Sequence, residues 1–227
     1  SYGKGTKTIS DDRALIRYLM RHKHTTPFEM VEFKFHVRCP MYIARQWLRH
    51  RTANVNEISA RYSVVDSDYY VPEHFRVAST ANHQSSGADM TADADLIAKQ
   101  KASCDAAFQT YDELLRAGVC RELARAHLPI CTFTEFYWKI DLHNLLHFLK
   151  LRMDDHAQKE IQDLARQIAD LVRPIVPTAW EAFEDFVLGS VTFSRLEIEA
   201  LQAGRQEIPG RGENSEFQSK KRMCNLS

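Results

Sequence analysis

Glycine is scarce, with eight in 227 residues, and neither a Gly-x-Gly-x-x-Gly run nor a Walker loop occurs. A dinucleotide bound here cannot rest in a glycine-rich cradle, so arginines and helix ends must take that role. The five cysteines (Cys39, Cys104, Cys120, Cys131, Cys224) form no Cys-x-x-Cys and no even framework, which suits a reducing compartment. None has an activating neighbourhood in sequence, and Ser59 has no adjacent His-Asp relay, so no covalent protein nucleophile is indicated. No stretch approaches the roughly 18 uninterrupted apolar residues of a membrane span. No sign of charge prevails either: 30 basic residues balance 30 acidic ones, so no global field draws in a nucleic-acid polymer or an acidic membrane. Any anion site must be local. The chain opens at Ser1 rather than Met, so an upstream segment is expected, and any targeting peptide in it lies outside this sequence. The length is ample for one real core, and no repeat is visible.

What is present is concentrated between Arg49 and Tyr62. These fourteen residues hold Arg49, His50, Arg51, Asn54, Asn56, Glu57, Ser59 and Arg61, with only Ala, Val and Ile as clearly apolar members. Burying so many unpaired charges would cost far more than those neighbours return, so the run is no core strand. Lacking Gly and Pro, it is no flexible linker either. Arginine prefers planar, bidentate contacts with phosphate or carboxylate, and Ser and Asn add neutral donors to the same anion. The local alternative is a solvated loop with surface ion pairs. A helix turns about 100° per residue, so Arg49 and Arg51 in one helix would point to nearly opposite sides. Either the helix ends there or the triplet serves two ligands.

Around this run the chain reads in order. Ser10-Asp11-Asp12 offers an N-cap for a helix from Arg13 to Met20. His22 and His24 are two apart, but no Cys or further His nearby makes them a metal site. Val31 to Arg38 alternates apolar and polar and predicts a strand with one wet side. Pro40 suits the first turn of a helix that carries Ile43, Ala44 and Trp47 inward, with Gln46 and Arg49 on another face. Val64 to Pro72 reads as an edge strand and turn, and residues 73–92, with His83 to Gly87, as a surface connection. A helix is expected from Ala92 to Ala117, stopped by Gly118, and a short one from Arg121 to Leu128 ended by Pro129. Arg121 and Arg125 share a face there, and the local reading pairs one of them with Glu122 or another carboxylate nearby. Ile130 to Ile140 is β-branched and aromatic, hence a strand. Asp141 caps a helix from Leu142 to Arg152, and core helices follow at 158–172 and 178–188. Residues 1–203 read as one domain and 204–227 as a mobile polar tail.

The Arg-His-Arg triplet, a seven-residue gap, Ser59, the enclosed Asn56-Glu57 and the trailing Arg61-Tyr62 together resemble the signature of flavin-dependent thymidylate synthases. His24-Thr25-Thr26-Pro27-Phe28-Glu29 and Leu151-Arg152-Met153-Asp154-Asp155-His156 match two further words of that family. The resemblance runs from Ser1 to about residue 195, with an upstream strand and helix expected before Ser1. It implies an α+β fold, a central and largely antiparallel sheet with a long helical bundle. It also implies a cytoplasmic homo-oligomer, most simply a homotetramer, whose active sites are shared between subunits. The implied reaction is reductive methylation of dUMP to dTMP, with methylenetetrahydrofolate as one-carbon donor and NADPH-reduced FAD as hydride carrier. By this match dUMP is held by Gln46, Trp47, Leu48, Arg49, Glu57, Ile58, Ser59, Ala60 and Arg61, by Arg125 of a neighbouring subunit, and by the catalytic Arg152. FAD is held by Thr26, Arg49, His50, Arg51, Glu57, Asp141, His143 and His147, and Glu29 helps shape its pocket. His24 and Tyr62 line the face where folate or nicotinamide enters, and no metal is implied.

Four positions depart from the family. Asn54 stands where Ser is commonest, and Asp141, His143 and His147 stand where some members have Asn, Arg and Asn. An aspartate beside a diphosphate would repel it. Two other readings remain on the residues alone. One is a non-catalytic module that senses pyrimidine monophosphates with the same arginines. The other is a metal-dependent phosphohydrolase built on His143, His147, Asp154 and His156. For the latter, the four-residue His spacing is that of a zinc-protease helix, but Asn144 follows His143 where the base would be Glu.

Overall fold

The computed structural model describes residues 8–79 and 86–226. Packing divides them into two compact units. One runs from His22 to Pro177, and the other joins the residues up to Arg21 with those from Thr178 onward. The division expected at residue 203 is therefore not the one the packing makes.

Helix α1 (Ile9–Arg21) begins earlier than its sequence suggests. Thr8 Oγ1 accepts the Asp11 N–H at 3.2 Å, and the Asp11 carboxylate accepts the Thr8 N–H at 3.1 Å, a reciprocal cap. Ser10, the expected cap, lies inside the helix. After the short α2 (Thr26–Glu29) comes β1 (Glu32–Pro40), where Lys34, His36 and Arg38 are exposed while Val37 and Cys39 are buried. Period-two alternation delivers this division, as expected. Helix α3 (Met41–Trp47) follows directly, with Ile43, Ala44 and Trp47 buried. The signature then supplies β2 (Asn54–Glu57), all four residues exposed.

Strands β3 (Arg76–Ala78) and β4 (Ser86–Asp89) form a small antiparallel ribbon where a surface connection is expected. His83 to Ser85 lie outside the described residues. The edge strand expected at Val64 to Pro72 reduces to one bridge, Tyr69 to Thr132. Side chains fix that segment instead: the Tyr69 ring stacks on Phe108 with centroids 5.9 Å apart, and its hydroxyl donates to Asp105 at 2.6 Å. Helix α4 (Ala94–Arg116) stops at Gly118, whose φ of +84° suits a residue without Cβ. Helix α5 (Arg121–Ala124) tightens into a 3-10 turn over Arg125–His127 before Pro129.

Strand β5 (Phe133–Asp141) is the centre of a three-stranded sheet, with β1 and β2 antiparallel on its two sides. The class is α+β with antiparallel sheets. Helices α6 (Leu142–Arg152) and α7 (Lys159–Val172) pack on one another. At the heart of this unit the Trp47 ring lies 5.1 Å from Trp138 and 4.7 Å from Phe148, all three fully buried. Buried aromatics of this size dominate core energetics. That cluster anchors the ends of α3 and α6, from which the site is built.

The second unit contains α1, α8 (Pro177–Phe183) with a π-helical turn at Glu184–Leu188, α9 (Arg195–Gln202) and α10 (Arg211–Met223). Arg13 and Arg17 pair with Glu181, Arg17 also with Asp185 at 2.7 Å, and the Arg17 guanidinium lies 4.8 Å from the Phe186 ring centre. Residues expected as a mobile tail thus include a helix. Phe217 of α10 is fully buried, and Lys220 donates to Glu197 at 2.9 Å. Sequence reading missed it because a single aromatic supplies the apolar anchor among charged neighbours.

Candidate active site

The fully buried Trp47 pins the end of α3, and the chain leaves the helix through Arg49 N–H to Gln46 O at 3.3 Å and His50 N–H to Trp47 O at 3.0 Å. Of the two readings of the arginine triplet, the helix ending is the one observed. Beyond the turn, Arg49 and Arg51 are exposed and His50 is partly buried between them. Among the described residues, neither Arg49 nor Arg51 has an ion pair, and the same holds for the partly buried Arg125. Gln46 Oε1 is buried without a hydrogen-bond partner.

Strand β2 carries the signature onward along β5, pairing Asn54 with Lys139 and Glu57 with Phe136. The buried Thr134 donates to Glu57 Oε1 at 2.6 Å, which fixes the glutamate at the strand end. At Ser59 the chain turns: its carbonyl accepts the N–H of Tyr62 at 3.0 Å, and its hydroxyl accepts the N–H of Arg61 at 3.3 Å. Arg61 reaches Glu122 at 3.2 Å, and Arg121 donates to the Tyr62 carbonyl at 3.1 Å. Glu122 therefore partners Arg61 rather than Arg121 or Arg125. This exposed pair is weak enough for an anion to displace it.

The C-terminal end of α6 returns to the triplet. Arg152 Nε donates to His50 Nε2 at 2.9 Å, and no other side-chain partner of Arg152 occurs among the described residues. The His50 ring meets the Phe148 edge at 4.9 Å and lies 6.1 Å from the His147 ring. Burial, then the charge of Arg152, then that of His147, push the His50 pKa down to about 4, so the ring is neutral and accepts. Burial also lowers the Arg152 pKa, although the group stays a cation. A partly buried guanidinium without a carboxylate is costly unless a ligand compensates it.

At the other end of α6, Asp141 accepts the Asn144 N–H at 2.9 Å and its amide Nδ2 at 2.7 Å. Its carboxylate is thereby occupied as the helix cap. Helix α2 packs against α6, so Thr26 lies on an element that neighbours the one carrying His143 and His147. His24 is exposed just before α2. Trp47 is fully buried, which leaves its backbone alone for any ligand contact, while Leu48 and Ala60 are partly buried and Ile58 is exposed. One chain thus assembles two groups of expected site residues: His50, His147 and Arg152 around the end of α6, and Ser59, Arg61 and Tyr62 beside α5. Two supports escaped sequence reading, Thr134 beneath Glu57 and Phe148 beside His50. Thr134 was detectable as a polar residue on the inward face of a core strand. Two cavities of about 520 Å³ each are walled by Tyr70, Arg76 and Glu160, and no signature residue lines either.

Among the described residues, arginines without ion-pair partners stand on an exposed turn next to a desolvated guanidinium bonded to a neutral imidazole, an arrangement in this α+β protein that suits an anionic ligand. Residues 1–178 match the family described as thymidylate synthase complementing protein. A flavin-dependent thymidylate synthase of Dictyostelium discoideum is 53% identical over 229 residues, covering 98% of this chain and 75% of that protein. One from Thermus thermophilus is 53% identical over 202 residues, covering 89% of this chain and 74% of its own length. The crystal structure of a UMP/dUMP methylase, PolB from Streptomyces cacaoi, bound with 5-Br dUMP superposes with a TM-score of 0.75 at 33% identity. That match covers 81% of this chain and 83% of PolB. The chain belongs to the flavin-dependent thymidylate synthase family.

Proposed function

We propose that this protein methylates dUMP to dTMP reductively, with methylenetetrahydrofolate as one-carbon donor and NADPH as reductant of FAD. One observation carries the reading most directly: Arg152, desolvated and without a carboxylate, keeps its two terminal nitrogens for a ligand. A pyrimidine edge that has lost the N3 proton presents a carbonyl oxygen and N3 as adjacent acceptors, which suits two parallel N–H donors. As N3 loses its proton, the fixed positive charge stabilises the anion and raises the reactivity of the ring carbon. Ser59, Arg61 and Arg125 of a neighbouring subunit hold the phosphate, and nucleotide binding displaces Glu122 from Arg61. Gln46, Arg49 and Glu57 complete the nucleotide contacts.

The residues present also fit FAD. Arg49 and Arg51 supply the uncompensated positive charge that a diphosphate needs. Thr26, His143 and His147 are the further flavin contacts of this reading, the His147 ring lying 6.1 Å from that of His50, whereas Asp141 is spent on its helix. When bound, the flavin supplies the hydride and relays the one-carbon unit, and the protein supplies position and electrostatics. His24 and Tyr62 shape the entry for folate or nicotinamide. A homotetramer, with Arg125 acting between subunits, and a cytoplasmic location go with this reading. No helix of the described residues is long and apolar enough to cross a membrane. The phosphohydrolase alternative is not favoured, because among the described residues no three His, Cys, Asp or Glu side chains gather around a potential metal position. The sensor alternative is not favoured either, since the curated relatives named above are synthases.

The test is dTMP formation from dUMP with FAD, NADPH and methylenetetrahydrofolate. Arg152→Ala is expected to keep the bound-flavin spectrum and lose dTMP formation. Undiminished turnover in that variant would remove Arg152 from its role.

A further inference from the structure

We propose that His50 is a positioning residue for Arg152: its Nε2 fixes the guanidinium plane so that both terminal nitrogens face the nucleotide. The inference rests on the reading that Arg152 grips the pyrimidine. The two residues are 102 positions apart in sequence, yet Arg152 Nε and His50 Nε2 are 2.9 Å apart. The acceptor is itself held in place. Its backbone N–H bonds to Trp47 O at 3.0 Å, its ring meets the fully buried Phe148 edge-on, and His147 stands at 6.1 Å.

The chemistry of the acceptor decides its value. Arginine is most often oriented by a carboxylate, which also neutralises it and would weaken its pull on charge developing in a bound pyrimidine. A neutral imidazole orients the same Nε–H and leaves the full positive charge for the ligand. To accept at Nε2 the ring must carry its proton on Nδ1, and a protonated ring would set donor against donor. The low pKa of His50 keeps the ring in the accepting form across the neutral range. By the family resemblance His50 is a flavin contact. The geometry commits Nε2 to Arg152 and leaves Nδ1–H and the ring face for any other contact.

The experiment uses the FAD-loaded protein and measures dUMP affinity by calorimetry, kcat and KM separately, and the flavin spectrum. His50→Leu removes the acceptor. His50→Gln returns one, because its Oε1 reaches approximately where Nε2 stood. His50→Leu should weaken dUMP binding about 10- to 100-fold, the range for a hydrogen bond to a charged group. His50→Gln should restore most of it, with the flavin still bound. In an Arg152→Ala background, His50→Leu should cost no further dUMP affinity. Additive losses from the two substitutions, or a Gln variant as impaired as Arg152→Ala, would overturn the positioning role while leaving the functional reading intact. Failure of the wild-type protein to bind dUMP at all would overturn both. If His50→Leu does not fold, the Gln variant alone still decides.

Discussion

Asp141 takes two hydrogen bonds from Asn144, one from the backbone N–H at 2.9 Å and one from the side-chain amide at 2.7 Å. A carboxylate so engaged starts α6 and compensates the positive end of its dipole. Asp141→Ala should therefore lower stability by about 1 kcal/mol, read by denaturant unfolding. Asp141→Asn should recover part of that, and flavin affinity should change little in either variant. A large loss of flavin with unchanged stability would assign Asp141 to the cofactor instead.

Arg125 is partly buried on the 3-10 turn and has no acidic partner among the described residues. Its charge is available to a phosphate. Arg125→Ala should raise KM for dUMP about 10- to 100-fold, as expected for a charged hydrogen bond lost, and the wild-type KM should rise with salt. Steady-state kinetics at two ionic strengths checks both.

His50 gives stability a defined pH dependence. Its pKa falls from 6.5 when unfolded to about 4 in the native protein, chiefly through burial. Between those values the unfolded chain binds a proton that the folded one refuses. This contribution is complete above pH 6.5, declines as pH falls toward 4, and changes no further below. His50→Gln lacks the titrating group, so its melting temperature should fall less than wild type across that window. Superimposable pH profiles would show that His50 is not held neutral.

Trp47 is fully buried against Phe136, Trp138 and Phe148. Trp47→Ala should cost about 3–5 kcal/mol, the usual range for emptying an aromatic from a core. Trp47→Phe should keep KM for dUMP near wild type, because only the backbone of residue 47 is positioned to meet a ligand. Chemical denaturation and kinetics on the two variants test the two halves.

Local patterns in the sequence anticipated local structure well. The alternation from Val31 to Arg38, the inward stripe of Ile43, Ala44 and Trp47, and the cap at Asp141 all follow from periodicity and capping chemistry. Contacts between distant segments were less legible. Nothing in the triplet says that His50 will meet Arg152, because the contact exists only after α6 packs behind Trp47. Thr8 caps α1 although the neighbouring Ser10-Asp11-Asp12 offers the stronger local pattern. Val64 to Pro72 reads as an edge strand and turn, yet Asp68 is drawn to Arg38 and Tyr69 to Phe108, and only one bridge forms. The signature is compact in sequence, whereas the division of its residues into two groups in space is not legible there.

Arg13 and Glu181 lie 168 positions apart, yet they are partners in one unit. During synthesis at about 5–20 residues per second, the first helix waits on the order of ten to thirty seconds for that partner. The segment from His22 to Pro177 emerges entirely within this interval. A nascent chain stalled before Glu181 would hold the arginine face of α1 without its acidic complement, a stage at which chaperones have reason to attend.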